Sequence, residues 1–230
     1  MSDKITIAID GHSSTGKSTA AKQLAQRLKY IYVDTGAMYR AISYYALSEN
    51  IYRDNQLHAQ ELIDSLDKIK VSFQRNEETD RADVYLNGIN IEKQIRTLEV
   101  SSIVSLVAEV SAVRAKLVAQ QQEMGKEKGV VMDGRDIGTV VFPDAELKVF
   151  MTAAPEVRAQ RRYDELIGRG DEVVYEEVLK NVIERDHIDS TREDSPLTQT
   201  ADAKLLDTSE MTREQQFEQL VCWAQEAMSC

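Results

Sequence analysis

Short apolar runs that end on Asp-Gly or Asp-Thr-Gly and hand over to amphipathic helical stretches predict an α/β fold, a doubly wound five-stranded parallel sheet. Three observations carry this. Ile5–Ile9 is almost continuously apolar, as suits a strand buried on both faces, and stops at Asp10-Gly11. A glycine-bounded loop follows and opens a helix from Ser18 to Leu28, with Ala21, Leu24, Ala25 and Leu28 at helical spacing. The pattern then repeats down the chain until residues 61–95, where apolar and polar residues alternate and mark a small antiparallel β-containing insertion.

Taken in order, Tyr30–Val33 is the second strand, ending at Asp34-Thr35-Gly36 and leading into a helix through Ala46. Within the insertion, Ile69–Gln74 and Asp83–Leu86 alternate, and Asn87-Gly88 precedes Ile89-Asn90-Ile91 as a type I′ turn signal. Gly129–Met132 and Leu147–Met151 are the next two strands. Pro155 stands at the first position of a helix, and residues 175–189 keep helical period. Leu205-Leu206 is a short last strand, and Thr212-Arg-Glu-Gln215 has the form of a capping box. The reading divides the chain into a core of 1–60 and 111–230, a lid at about 156–172 within it, and an insertion at 61–110.

Composition narrows the class. The 230 residues carry 28 basic and 39 acidic side chains, a net charge of −11, which argues against a bulk nucleic-acid binder. No apolar run reaches the ~20 residues needed to span a bilayer, and the N-terminus lacks a signal-peptide stretch. Cys222 and Cys230 lie eight residues apart on one helical stretch, too far for a disulfide, so a reducing cytoplasm is the expected setting.

Gly11-His-Ser-Ser-Thr-Gly16-Lys17-Ser18 fits the phosphate-loop pattern and sits between strand and helix, where that pattern belongs. A chance match in a chain of this length is on the order of one in a hundred. The expected nucleotide-triphosphate site is Gly11, His12, Ser13, Ser14, Thr15, Gly16, Lys17, Ser18 and Thr19, with Lys17 on the β- and γ-phosphates. Ser18 is expected to hold Mg²⁺, and Asp133, at the end of a strand, to assist it directly or through water. A plain glycine turn and a plain turn carboxylate are the bland alternatives. Between 135 and 192 arginines accumulate: Arg135, Arg158, Arg161, Arg162, Arg169, Arg185 and Arg192. Singly each is more ordinarily a surface residue; beside a phosphate loop the group reads as a set of phosphate forks.

Several stretches together resemble bacterial-type cytidylate kinases, within the nucleoside-monophosphate kinases of the P-loop class: the phosphate loop, Asp34–Arg40, Ile95–Thr97, Asp133–Asp144, Glu184-Arg-Asp, and Ser195-Pro-Leu through Asp207-Thr-Ser209. The resemblance implies transfer of the γ-phosphoryl group of ATP to CMP or dCMP, with Mg²⁺ as cofactor and small-molecule partners only; a monomer is expected because no coiled-coil or strongly apolar stripe is evident. It also implies that Arg40 and Arg135 grip the acceptor phosphate. Thr35, Ser105, Arg114, Asp136 and Arg192 would surround the cytosine, with Tyr39 in the same set, and Arg185 and Asp189 would hold the ribose. Lys17, Arg135, Arg158 and Arg162 form the expected catalytic group. The chain departs from the family where His12 replaces a usual proline and Ser14 a frequent glycine; His12 is expected to be loop filler. Other small kinases, acting on UMP, AMP or shikimate, are the nearest rivals, and a nucleotide switch without phosphotransfer is the rival from another class.

Overall fold

The computed structural model describes residues 4–76 and 81–229. It divides into two compact units, one of Met1–Asp34 with Gln121–Cys230 and one of Thr35–Gln120.

The first unit is built on β1 (Thr6–Gly11), β2 (Ile31–Asp34), β8 (Val130–Gly134), β9 (Leu147–Thr152) and β10 (Lys204–Asp207), all parallel, in the order β10-β9-β1-β8-β2. Burial explains the sequence pattern. The central strands β1 and β8 are buried at every position and read as unbroken apolar runs, whereas β9 alternates and the edge strands are half exposed. Helices α1 (Lys17–Leu28) and α8 (Arg213–Ala227) close one core: Ile7, Ile9, Val131, Val149 and Met151 from the sheet pack with Ala21, Leu24, Leu220 and Ala224. Burying each large aliphatic side chain stabilises the fold by about 1.5–3 kcal/mol. The chain leaves β1 towards β2 on one side and later adds β9 and β10 on the other. The crevice at the carboxyl end of β1 is therefore the topological switch point, where ligands bind in such sheets.

Gly11 ends β1 with φ +143°, and a Cβ there would lie 1.9 Å from the Met151 carbonyl oxygen, so the phosphate loop can leave the sheet here only on glycine. Helices α6 (Pro155–Gly168) and α7 (Tyr175–Thr191) pack on each other, with the Tyr163 and Tyr175 rings edge to face at 6.0 Å. Pro155 opens α6 as expected, and the Thr212–Gln215 capping box opens α8.

The second unit holds α2 (Thr35–Ser48), the hairpin of β3 (Tyr52–Arg53) and β4 (Gln56–Leu57), α3 (Ala59–Ser65), the antiparallel β5 (Val71–Asn76), β6 (Arg81–Leu86) and β7 (Ile89–Asn90), α4 (Leu98–Glu109) and most of α5 (Ser111–Gly125). Asn87 and Gly88 both have positive φ, 50° and 83°, as the type I′ turn requires. Asp54 and Asn55 make a second such turn, at 52° and 57°, between Arg53 and Gln56. The expected insertion at 61–110 is thus narrower than the observed unit. The reason is packing: α2 lies against α4 and β6, the Lys116 ammonium on α5 donates to the Leu66 carbonyl at 2.6 Å, and Gln120 donates to the Val71 carbonyl at 2.9 Å. Cys222 is an exposed free thiol; Cys230 lies outside the described residues, and so does the pairing question it raised.

Candidate functional site

In the first unit, the phosphate loop turns on itself through its own side chains. Lys17 is buried, and its ammonium donates to the His12 carbonyl at 2.5 Å and lies 3.4 Å from Thr15 Oγ1. Burial, with the Arg135 charge beside it, lowers the Lys17 pKa to about 7. Ser14 has φ +59°, a left-handed conformation that explains why glycine is frequent in the family at this place. Thr208, just past β10, donates from Oγ1 to the Thr15 carbonyl at 2.8 Å, and Arg161 on α6 donates to the Thr208 carbonyl at 2.6 Å. The loop is therefore braced from its flank by residues far away in sequence.

Ser18 Oγ donates to Asp133 Oδ2 at 2.8 Å, and Tyr32 Oη donates to Asp133 Oδ1 at 2.8 Å. β2 and β8 are neighbours with Asp34 opposite Asp133, and burial together with that second carboxylate raises the Asp133 pKa. A hydroxyl next to an ionisable carboxylate at the start of α1 is an all-oxygen donor pair. That suits Mg²⁺, which keeps several waters and takes its other ligands from phosphate oxygens. Among the described residues no group of three or more His, Cys, Asp or Glu could hold a metal on its own. The donor set fits an ion brought in with a nucleotide rather than one held by the protein alone.

Beyond β8, Asp10 accepts from the backbone N–H of Ile137 at 2.8 Å and of Gly138 at 2.7 Å. Burial raises its pKa to about 6 against the pull of those two donors. Arg135 Nε donates to Asp189 Oδ2 at 2.8 Å, and Arg192 lies 3.9 Å from Asp189 Oδ1. Burial pushes Asp189 up, but Arg135, Arg185 and Arg192 together hold it below the usual carboxylate range. The arginine group read from sequence thus converges, for these three members, on one buried carboxylate. Asp136, also buried, follows Arg135 two residues past the end of β8.

The lid arginines Arg158, Arg162 and Arg169 each have an acidic partner. Arg158 is only 2% exposed and is gripped in a fork by Asp186 of α7, at 2.9 and 2.5 Å, with Nε donating to the Ala153 carbonyl at 2.8 Å. In this structure it is a structural tie between α6 and α7. The reason is its place on the inner face of an amphipathic helix, where a buried guanidinium must be paired. Arg162 pairs with Glu165 at 2.9 Å and is half-buried, and Arg169 pairs with the same carboxylate. His12 is more than filler: its Nδ1 lies 3.2 Å from Asp186 Oδ1, an ion-pair distance. Burial raises the Asp186 pKa, yet His12 and Arg158 more than reverse this, to about 2.

In the second unit, Thr35, Tyr39 and Arg40 lie on α2, Ser105 on α4 and Arg114 on α5. Thr35, Tyr39, Ser105 and Arg114 are buried, and α2 packs on α4, so the polar residues proposed for the acceptor sit among the unit's inner faces. Sequence reasoning gave no role to Asp10, Tyr32, Asp186 or Thr208. Only Asp186 and Thr208 lay within stretches singled out as motifs.

A family model described as Cytidylate kinase matches residues 7–226. The chain is 62% identical over 214 residues to a protein named Cytidylate kinase from Flavobacterium johnsoniae, covering 93% of each chain. It is 56% identical over 225 residues to one of the same name from Bacteroides fragilis, covering 98% of each. Among solved structures, an uncharacterized protein from Eubacterium ventriosum superposes with a TM-score of 0.52 at 10% identity, over 97% of this chain and 99% of that one, a likeness of fold alone. With a phosphate loop in its proper crevice, and relatives of this identity over nearly their whole length, the chain belongs to the cytidylate kinase family.

Proposed function

We propose that this chain's own residues carry the family's reaction, transfer of the γ-phosphoryl group of ATP to CMP or dCMP to give CDP or dCDP and ADP, in the following roles. The observation that carries the reading is the Lys17–Ser18–Asp133 arrangement at the mouth of β1. Gly11 to Thr19 wrap the donor phosphates with backbone N–H groups. Lys17 leaves the His12 carbonyl for the β- and γ-phosphate oxygens. Ser18 would hold Mg²⁺, with Asp133 assisting directly or through water, and the ion would supply charge neutralisation of the phosphates.

The acceptor is an anionic phosphate oxygen and needs no strong general base, so the chain's work is positioning and charge compensation. Arg40 and Arg135 grip the acceptor phosphate, Arg185 and Asp189 the ribose. Asp136 accepts from the cytosine amino group, and Arg114 donates to N3 or O2, with Thr35, Tyr39, Ser105 and Arg192 completing the set. Uracil presents a carbonyl and an N–H at those edges, so both charged groups would face the wrong partner. Arg162 is the lid arginine still open to a catalytic part; Arg158 acts through its tie to Asp186. No helix among the described residues is long and apolar enough to cross a membrane, and a cytoplasmic monomer that takes only small-molecule substrates is the setting we propose.

The test is ADP release with CMP, UMP, AMP and no acceptor. ATP consumption that depends on CMP supports the reading; equal rates without acceptor defeat it. Lys17→Ala should lower turnover by about a hundredfold or more while the protein still melts cooperatively. Retained turnover in that folded variant would remove Lys17 from the chemistry.

A further inference from the structure

His12 is engaged at both ends. Its carbonyl accepts from the Lys17 ammonium at 2.5 Å, and its imidazole Nδ1 lies 3.2 Å from Asp186 Oδ1 on α7. Nδ1 is shut off from solvent and has no other hydrogen-bond partner among the described residues. Burial raises the Asp186 pKa, but His12 and Arg158 bring it to about 2 and keep the carboxylate ionised at neutral pH. An ionised carboxylate only accepts, so the proton of this pair sits on Nδ1. The same carboxylate grips Arg158 of α6 with both oxygens, and Arg158 Nη1 also reaches the Ser13 carbonyl at 3.4 Å. The α6–α7 pair therefore meets the phosphate loop at two consecutive residues, immediately before the left-handed bend at Ser14. Beyond that bend the loop is braced at the Thr15 carbonyl by Thr208, at 2.8 Å. Ahead of it, the hold comes from Asp186 and Arg158.

We infer that the His12 imidazole is a positioning group for the donor phosphates: by fastening the start of the phosphate loop to Asp186, it keeps the loop's N–H groups and Lys17 in register with the α6–α7 helices. This role rests on the reading of the loop as the ATP site. It gives the imidazole no contact with either nucleotide. Two consequences follow from the geometry. The loop's N–H groups serve a phosphate only if they point at it together, and a small misplacement of such a cradle is costly. Arg162 stands one helical turn from Arg158 on α6, so a loop tied to the Asp186–Arg158 pair is also tied to the helix that carries the lid arginine. Without the imidazole, the 3.4 Å contact from Arg158 to the Ser13 carbonyl is the remaining link at this end of the loop among the contacts described.

Three variants test this: His12→Ala, His12→Leu and His12→Asn. Asparagine sets an amide N–H near the place of Nδ1 and can still donate to Asp186. Alanine and leucine cannot, and leucine fills the space of the ring, should His12→Ala fold poorly. Equilibrium affinity for ATP is measured without acceptor, beside the KM values for ATP and CMP and the melting temperature. In His12→Ala and His12→Leu, ATP affinity should fall by about five- to tenfold, the scale of one half-buried hydrogen bond to a charged group. His12→Asn should stay within about twofold of the parent, and CMP affinity should stay within about twofold in all three. Parent-like ATP affinity in a folded His12→Ala or His12→Leu overturns the positioning role. A loss that His12→Asn does not restore, although it melts like the parent, overturns it as well. Equal losses of ATP and CMP affinity would mark a general structural part and also overturn the proposal. A parent protein that itself fails to bind ATP would overturn the reading of the phosphate loop, and this role with it.

Discussion

Asp133 illustrates how one carboxylate is aimed. Its Oδ2 faces the Ser18 hydroxyl and its Oδ1 is held by Tyr32, whose own phenol is kept protonated by burial and by that same carboxylate. Removing the Tyr32 hydroxyl leaves Asp133 with one fixed oxygen fewer and a freedom to rotate. Tyr32→Phe should therefore raise the Mg²⁺ concentration needed for half-maximal rate by a few fold, with a stability cost of about 1 kcal/mol. Magnesium titrations at saturating ATP and CMP check this, and an unchanged titration would show that Asp133 needs no such support. Residues of this kind were not legible in the sequence. The phosphate loop announces itself because its glycines and lysine stand at fixed spacing, whereas Tyr32 and Asp133 are 101 positions apart and meet only through the β2–β8 pairing. Asp10 was visible merely as the end of a strand. Its partners, 127 and 128 residues away, are backbone groups that carry no signature of their own.

Helices α6 and α7 show the same limit at the scale of an element. Their existence follows from Pro155, apolar periodicity and the arginine-rich face, all local features. Which arginine turns inward is a property of the packed pair. Arg158 faces Asp186 and is consumed by it, while Arg162, one turn on, stays half-buried beside Glu165. Asp186→Asn leaves the Arg158 guanidinium buried without its counter-charge, and should destabilise the protein by on the order of 3 kcal/mol. Thermal melting of Asp186→Asn beside Arg162→Ala separates the two arginines' parts. Arg162→Ala should melt near the parent and lower kcat more than it raises the KM for CMP. A low melting temperature in Arg162→Ala with kcat intact would reverse the assignment. By contrast, the Thr212–Gln215 capping box was readable from four letters, because a cap is made by neighbours in sequence.

For the molecule as a whole, the two compact units have different legibility. The central strands β1 and β8 of the first were visible because burial on both faces leaves an unbroken apolar run, and the other three as short apolar runs between helical stretches. The second was underestimated because the membership of α2, the β3–β4 hairpin and most of α5 is decided by packing, α2 on α4 and β6 and α5 through Lys116 and Gln120 on the backbone of the insertion. Global stability adds up contributions that no single element reveals, and its pH dependence can be worked out by sign. Asp186 and Asp189 have folded pKa values below the ordinary one, so their stabilisation is present above about pH 4 and is lost as pH falls further. Asp10 has the opposite sign. Its pKa rises from 3.8 to about 6, so the folded protein binds the proton more tightly than the unfolded chain does. Stability from this group is fully present below about pH 4 and is lost as pH climbs through about 6; Asp136 adds to the rise and Lys17 opposes it. Asparagine at position 10 cannot titrate. The melting temperature of the parent minus that of Asp10→Asn should therefore grow as pH is lowered from about 7 to about 5. Melting curves of the two proteins at three pH values measure it, and a difference that stays flat or shrinks on acidification would show that the buried carboxylate is ionised throughout that window, held so by the Ile137 and Gly138 N–H groups.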